Sequence, residues 1–161
     1  GLVTLFAGSI GVISGPVLER YLTKLNVNAA TLIVCLISAI SLTILGPITF
    51  LFLSSELVLV GIFLVSFFIT LPLALFATSL QNVSPNQYRG VVSGIYVFTA
   101  NIFGYGLGPM FVAFFTDKVF KNEMAIDLSM TTMFLVCGPL SILIFYFGRK
   151  PFAEALVMKS S

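Results

Sequence analysis

Five long apolar stretches dominate the hydropathy pattern of the chain, and the charged residues lie in the short breaks between them. A hydrocarbon core of about 30 Å is crossed by about 20 helical residues, which is the length scale of these stretches. The stretch from Leu57 to Ile69 is apolar on every face, whereas the strands of a membrane barrel alternate apolar and polar residues. The pattern therefore predicts an all-α, polytopic transmembrane helical bundle. Spans A to E are predicted over residues 1–18, 29–53, 57–80, 90–116 and 128–148.

The composition agrees with a lipid environment. Hydrophobic residues make up 58% of the 161 positions and charged residues 9%, whereas soluble domains carry roughly 25% charged residues. A net charge of +2 is too small and too scattered for a nucleic-acid-binding surface. The chain has no His, and Cys35 and Cys137 lie inside apolar stretches, so we expect no metal site, no disulfide and no cofactor.

The distribution of basic residues predicts an orientation. The breaks after spans A and C, together with residues 149–161, hold six Lys or Arg residues, and the breaks after spans B and D hold two. Cytoplasmic segments carry the excess of basic residues, so we expect 149–161 to be a cytoplasmic tail of a multi-pass protein of the plasma or inner membrane. Because Gly1 then lies outside without a signal peptide, we expect an N-terminal portion before it.

Span A has a face of small residues. Thr4, Gly8, Gly11 and Gly15 follow one another at spacings of four, three and four, which places them on one side of a helix. Small residues let helices approach closely in lipid, where the hydrophobic drive for association is small. The face predicts close packing, either within a general bundle or against a specific partner.

A charged turn lies at the predicted cytoplasmic end of span A. Gly15 and Pro16 precede Glu19 and Arg20, and Lys24 lies further along the same segment. A carboxylate at the membrane boundary can accept hydrogen bonds from the N-terminus of a neighbouring helix, whose dipole favours negative charge, while an adjacent Arg balances it. The alternative is that Glu19 and Arg20 only cap a helix in water.

Span D carries a longer stripe of small and polar residues at spacings of three and four. Its outer part, residues 104–109, is rich in glycine and ends in proline, so we expect it to be bent or locally loosened. The stripe consists of Gly90, Gly94, Val97, Asn101, Gly104 and Gly108. The residues to which we assign helix packing in spans A and D are Gly8, Gly11, Gly94, Gly104, Gly108 and Pro109.

The charged turn resembles the signature loop of the major facilitator superfamily of secondary transporters. That loop follows the second helix of the family and, in weaker form, the eighth. Gly15, Glu19, Arg20 and Lys24 match it in position or charge. The departures are Glu19 in place of Asp, Leu22 in place of a second glycine and Thr23 in place of a basic residue.

Span D strengthens the resemblance. The stretches Tyr88–Tyr96, Asn101–Pro109 and Thr116–Asp117 are similar to the eleventh helix of the superfamily, and most similar to that of the spinster-like branch. The resemblance implies a partial fold in which spans A to E are the eighth to twelfth helices and the first seven are missing. It also implies that A, C and D border the central cavity, whereas B and E are peripheral and face lipid.

The implied function is secondary transport of a small or lipid-like solute by alternating access. The resemblance gives Gly15, Glu19 and Arg20 the role of a latch to a helix of the missing N-terminal half, and Arg89 and Gly90 the role of receiving that half's acidic loop. We expect the glycine faces of spans A and D to lack partners without that half. No Asp, Glu, Lys, Arg or His lies within a predicted span, so a coupling proton would be carried elsewhere.

Several polar residues within the spans are candidates for contact with a solute. The proline at position 72 is expected to kink span C near the cavity. The substrate-pathway candidates are Asn101, Tyr96, Thr99, Tyr105, Ser66 and Thr70.

The rival interpretations are a structural or accessory multi-pass subunit without transport of its own, and a membrane enzyme, which the lack of His and of mid-span carboxylates disfavours.

Overall fold

A computed structural model of the chain describes residues 1–25, 29–51, 57–121 and 126–160. Within these ranges the backbone is helical almost throughout and contains no strand, which confirms the predicted all-α class. Helices satisfy their own backbone polar groups, as apolar segments require in lipid. The α-helices are α1 (Leu2–Lys24), α2 (Ala30–Leu51), α3 (Val58–Thr70), α4 (Leu73–Val83), α5 (Arg89–Ala100), α6 (Leu107–Phe114) and α7 (Ile126–Ser160).

Five helical stretches of the described residues are long and apolar enough to cross a membrane, which confirms the predicted number of spans. Spans A and B are α1 and α2, and the predicted end of span B at residue 53 lies outside the described residues. Helix α7 continues through the predicted tail as far as Ser160. The remaining spans are C (Val58–Gln81), D (Asn86–Phe120) and E (Ile126–Glu154).

Spans C and D are interrupted at Pro72 and near the glycine-rich part of span D, as the sequence predicts, and span D has a further π-helical segment that the sequence does not predict. Helix α3 ends at Thr70 and α4 begins after Pro72, which has no backbone N–H to continue the helix. In span D, a short 3₁₀ turn precedes α5, and π-helical segments occupy Asn101–Gly106 and Phe115–Phe120. The first π-helical segment confirms the loosening expected near the glycine-rich part of this span.

Consecutive spans run in opposite directions. Glu19 near the end of α1 contacts Thr31 at the start of α2, and Thr116 near the end of span D contacts Ser129 near the start of α7. Span C runs in the same direction as α1, because Gly8 faces Thr70 and Gly15 faces Leu75. The end of α1 and the start of α5 therefore lie at the same end of the bundle, which we call the basic end.

Helix α2 lies at the centre of the bundle and contacts α1, α3, α4 and α7. Val34 of α2 forms the core with Leu71 and Leu75, and Leu18 and Leu22 of α1 pack against it. Among the described helices α2 is therefore central, whereas the resemblance implies a peripheral span B in a complete transporter. The physical reason is that small residues of α2 admit side chains from its neighbours, as described below. Span D, by contrast, lies at the edge.

Candidate functional site

The glycine face of α1 packs against α3 and the α3–α4 break. A Cβ atom added at Gly11 would lie 2.6 Å from the carbonyl oxygen of Phe67, and one added at Gly15 would lie 3.2 Å from the carbonyl carbon of Leu71. Gly8 is less tight, since an added Cβ would lie 3.5 Å from the methyl group of Thr70. The expectation that this face lacks a partner is wrong, because α3 of the same chain fills it.

Glu19 has a partner within the chain. Its carboxylate accepts a hydrogen bond from the hydroxyl of Thr31, in the first turn of α2, and its side chain is partly buried. The positive end of the α2 dipole favours a negative charge at this place. Arg20 is exposed. The carboxylate therefore meets a helix N-terminus as the sequence suggested, but the helix belongs to this chain.

Arg89 and Gly90, the other residues to which the resemblance gives a latch role, lie at the same end of the bundle. They begin α5 and are exposed, and a Cβ atom added at Gly90 would have nothing within 4 Å. Helix α4 contacts both α1 and α5. The side-chain amide of Gln81 in α4 donates a 3.1 Å hydrogen bond to the hydroxyl of Ser93, which ties α5 to its neighbour.

A cavity of about 930 Å³ opens between α3, span D and α7, with Phe50 of α2 at its wall. Four residues that the sequence singled out for packing or for the pathway line it together. Their small or apolar side chains leave most of the wall without polar groups. These residues are Ser66, Gly104, Gly108 and Pro109.

The polar residues at this cavity cluster near the end of span D. Thr116 is buried, its hydroxyl donates to the carbonyl oxygen of Val112 at 2.9 Å, and it shares a 2.7 Å hydrogen bond with Ser129. Asp117 lies beside it on the wall and is exposed. The cavity thus combines an apolar interior with one carboxylate at its rim, an arrangement that can hold an apolar or amphiphilic molecule.

Most of the pathway candidates lie away from this cavity. Thr70 packs at the α1 seam, where its hydroxyl donates to the carbonyl oxygen of Ser66 at 2.9 Å. Asn101 donates its side-chain amide to the carbonyl oxygen of Val97 at 2.7 Å, at the start of the π-helical segment. The other three, which are not among the wall residues, are the half-buried Tyr96 and the exposed Thr99 and Tyr105.

The glycines of span D make no packing contact with the described part of the chain. A Cβ atom added at Gly94, Gly104 or Gly108 would have no neighbouring atom within 4 Å. Their assignment to helix packing therefore finds no partner in residues 1–25, 29–51, 57–121 and 126–160. Gly104 and Gly108 instead widen the cavity, because a glycine leaves wall space that a side chain would fill.

Span E contributes a wall that the sequence reasoning missed. Met130, Met133 and Phe134 of α7 line the cavity, although the resemblance implied a peripheral role for this span. Their spacing of three and then one residue places them on one helical face, which is the signal that could have identified them. Phe134 also stacks on Phe50, with ring centroids 6.1 Å apart, and so joins α7 to α2.

Comparison with protein families, with curated proteins and with solved structures finds no match to this chain.

Proposed function

We propose that the chain forms the C-terminal portion of a secondary transporter of the major facilitator superfamily, equivalent to its eighth to twelfth helices. In this proposal it moves a solute by alternating access between two helical halves. One observation carries the proposal: the open glycine face of span D borders a cavity of about 930 Å³ between membrane-spanning helices. That volume lies within the range of about 300–1,000 Å³ that is typical of small-molecule sites.

The walls of the cavity support an apolar or lipid-like solute. Ser66 and Thr116 are the hydroxyl residues of the wall, and Thr116 already has its hydrogen bonds. Met130, Met133 and Phe134 offer adaptable apolar contacts, and sulfur-containing side chains fit irregular ligands well. A lipid-like solute also agrees with the resemblance to the spinster-like branch.

A second helical half would cover the open face of span D. The exposed Arg89 and the open Gly90 stand at the basic end, where a loop of that half would dock. The basic end faces the cytoplasm in this proposal because it carries the excess of Lys and Arg. A coupling proton would use a carboxylate of the other half, and the membrane would be the plasma or inner membrane.

Solute flux in vesicles tests the proposal. The full-length protein that contains this chain would be reconstituted with fluorescent single-chain amphiphiles that carry cationic, anionic or neutral head groups. Gly108→Leu fills the cavity and should lower the flux of the transported probe at least about tenfold, because solute and side chain compete for one space. Gly148→Leu is the matched control, since Gly148 also has nothing within 4 Å but does not line the cavity.

The rival is a structural or accessory subunit, and two observations favour it. The glycine face of α1 and the carboxylate of Glu19 both find partners inside the chain, as in a self-contained bundle. Under this alternative, no amphiphile would show protein-dependent flux, and Gly108→Leu would behave like Gly148→Leu.

A further inference from the structure

A second cavity of about 250 Å³ lies between α2, α7 and the start of α4, which is the second helix of span C. Phe134 lines both this cavity and the larger one, so its ring stands between them. Cys137, which is exposed, marks the side where the cavity meets the surface of the bundle, and the buried Cys35 marks the inner side. The cavity thus opens toward the region that a bilayer would occupy.

Ser38 is a wall residue with an unsatisfied hydroxyl. Its side chain is 2% exposed and its Oγ atom has no hydrogen-bond partner. Thr43 and Thr49 of the same helix behave differently, because each donates to the carbonyl oxygen four residues earlier at 2.7 Å. A buried hydroxyl without a hydrogen-bond partner is unfavourable, so this position favours a ligand that can donate a hydrogen bond to Ser38 or accept one from it.

The rest of the wall is neutral and aromatic. Phe76 and Phe145 lie with their ring centroids 5.7 Å apart, and Phe134 adds a third ring. Ser141 faces the same cavity from α7. No Asp, Glu, Lys or Arg is among the wall residues in the described part of the chain, which disfavours an ionic ligand.

We propose that this cavity binds a small neutral aromatic alcohol, such as a phenol that carries short alkyl groups, and that Ser38 exchanges a hydrogen bond with its hydroxyl. The three phenylalanine rings contact the aromatic ring of the ligand. An apolar cavity of about 150 Å³ accommodates benzene, so about 250 Å³ has room for a ring with a hydroxyl and short alkyl substituents. This phenol site is separate from the proposed solute cavity, and the proposal does not depend on transport by the chain.

Photolabelling of the purified chain tests the site. A diazirine-bearing phenol should form adducts on peptides of α2, α4 and α7, and competition with an unlabelled alkylphenol gives the affinity of that alkylphenol. Ser38→Ala should weaken phenol binding about two- to tenfold, the range expected for one hydrogen bond. The matching alkylbenzene probe, which lacks the hydroxyl, should bind wild type and Ser38→Ala equally. Thr131→Ala is the control, because Thr131 is the other buried unpartnered hydroxyl of the described residues and lines neither cavity.

A second variant keeps the test decisive if Ser38→Ala fails to fold by circular dichroism. Ser141→Leu narrows the cavity from its other wall and should abolish labelling by both probes while the helical spectrum is retained. Equal phenol binding by wild type and Ser38→Ala, adducts that map outside α2, α4 and α7, or full labelling of a folded Ser141→Leu would each overturn the proposal.

Discussion

Helix α2 and span D contain similar small and hydroxyl-bearing residues but lie in opposite surroundings. In the most apolar stretch of α2, 33% of the residues are buried, whereas in the most apolar stretch of span D 0% are buried. Gly46 of α2 accommodates the ring of Phe134, and a Cβ atom added there would lie 2.6 Å from a ring carbon. A Cβ atom added at Gly94 of span D would have no neighbouring atom within 4 Å.

The difference lies in the partners rather than in the small residues themselves. Each tight glycine around α2 faces a side chain that fills the space above it, as Gly138 faces Thr43 and Gly61 faces Thr49. Interiors are close-packed, so such pairs fix how the helices meet. Span D offers the same kind of surface without a partner in the described chain, and for this reason we propose that it borders a solute cavity and packs against a second half.

The largest expected effect comes from a methyl group added on the α2 side. Gly138→Ala places a Cβ atom 2.9 Å from Cβ of Thr43, so the two helices must separate or Thr43 must move. Overpacking of this kind costs about 1–3 kcal/mol. Chemical unfolding in detergent, followed by circular dichroism, should show that loss. A variant as stable as wild type would contradict the tight seam between α2 and α7.

Thr31→Val tests how the N-terminus of α2 is held. The substitution removes the hydroxyl that donates to Glu19 and leaves the partly buried carboxylate without that donor, at a cost of about 1 kcal/mol. Thr23→Val is the control in the same turn region, because the Thr23 hydroxyl donates only to a backbone carbonyl at an exposed position. Equal unfolding midpoints for Thr31→Val and Thr23→Val would show that the contact with Glu19 does not stabilise the fold.

The same glycine-to-alanine change should have the opposite sign on span D. At Gly94 the added methyl group meets no atom within 4 Å. Alanine then stabilises the helix by about 0.5–1 kcal/mol, because glycine loses more backbone entropy on folding. Gly94→Ala and Gly138→Ala, unfolded side by side, should shift the midpoint in opposite directions. A loss of stability at Gly94 would mean that its face is covered within the chain.

The smallest effect is expected where α4 and α5 meet. Gln81→Ala removes an exposed hydrogen bond to Ser93, and global stability should change by less than about 0.5 kcal/mol. Amide exchange in the first turns of α5 should become faster, since this bond ties the start of span D to its neighbour. If mass spectrometry shows the same amide exchange rate at the start of α5 in Gln81→Ala and in wild type, the bond between Gln81 and Ser93 does not hold the start of span D.

The spans and their breaks could be predicted because they depend on local chemistry. Apolar length identifies a span, Pro72 interrupts α3 and α4 through its missing N–H, and the glycines near Gly104 coincide with a π-helical segment. The neighbours of each helix could not be predicted in the same way. Helix α3 is apolar on every face, so its sequence does not show which side meets α1 or α2.

The candidate site was predicted in part for the same reason. Ser66, Gly108 and Pro109 meet at one cavity, because polar or small residues in apolar spans stand out in a sequence. Phe134 did not stand out among the 17 phenylalanines, although it lines both cavities. Asn101 did stand out, but its side-chain amide donates to a carbonyl oxygen of its own helix rather than to the cavity. A residue's polarity shows that it needs a partner, and only the packing shows where the partner lies.

The claim that span D borders the solute route, whereas the middle of α2 is buried inside the bundle, is tested most directly by cysteine accessibility. In the full-length protein with Cys35 and Cys137 replaced by alanine, Gly108→Cys and Ala39→Cys would each be treated with a water-soluble methanethiosulfonate. We expect rapid modification of Gly108→Cys that a transported amphiphile slows, and no modification of the buried Ala39→Cys. An unreactive Gly108→Cys, or equal reactivity at the two positions, would contradict the account.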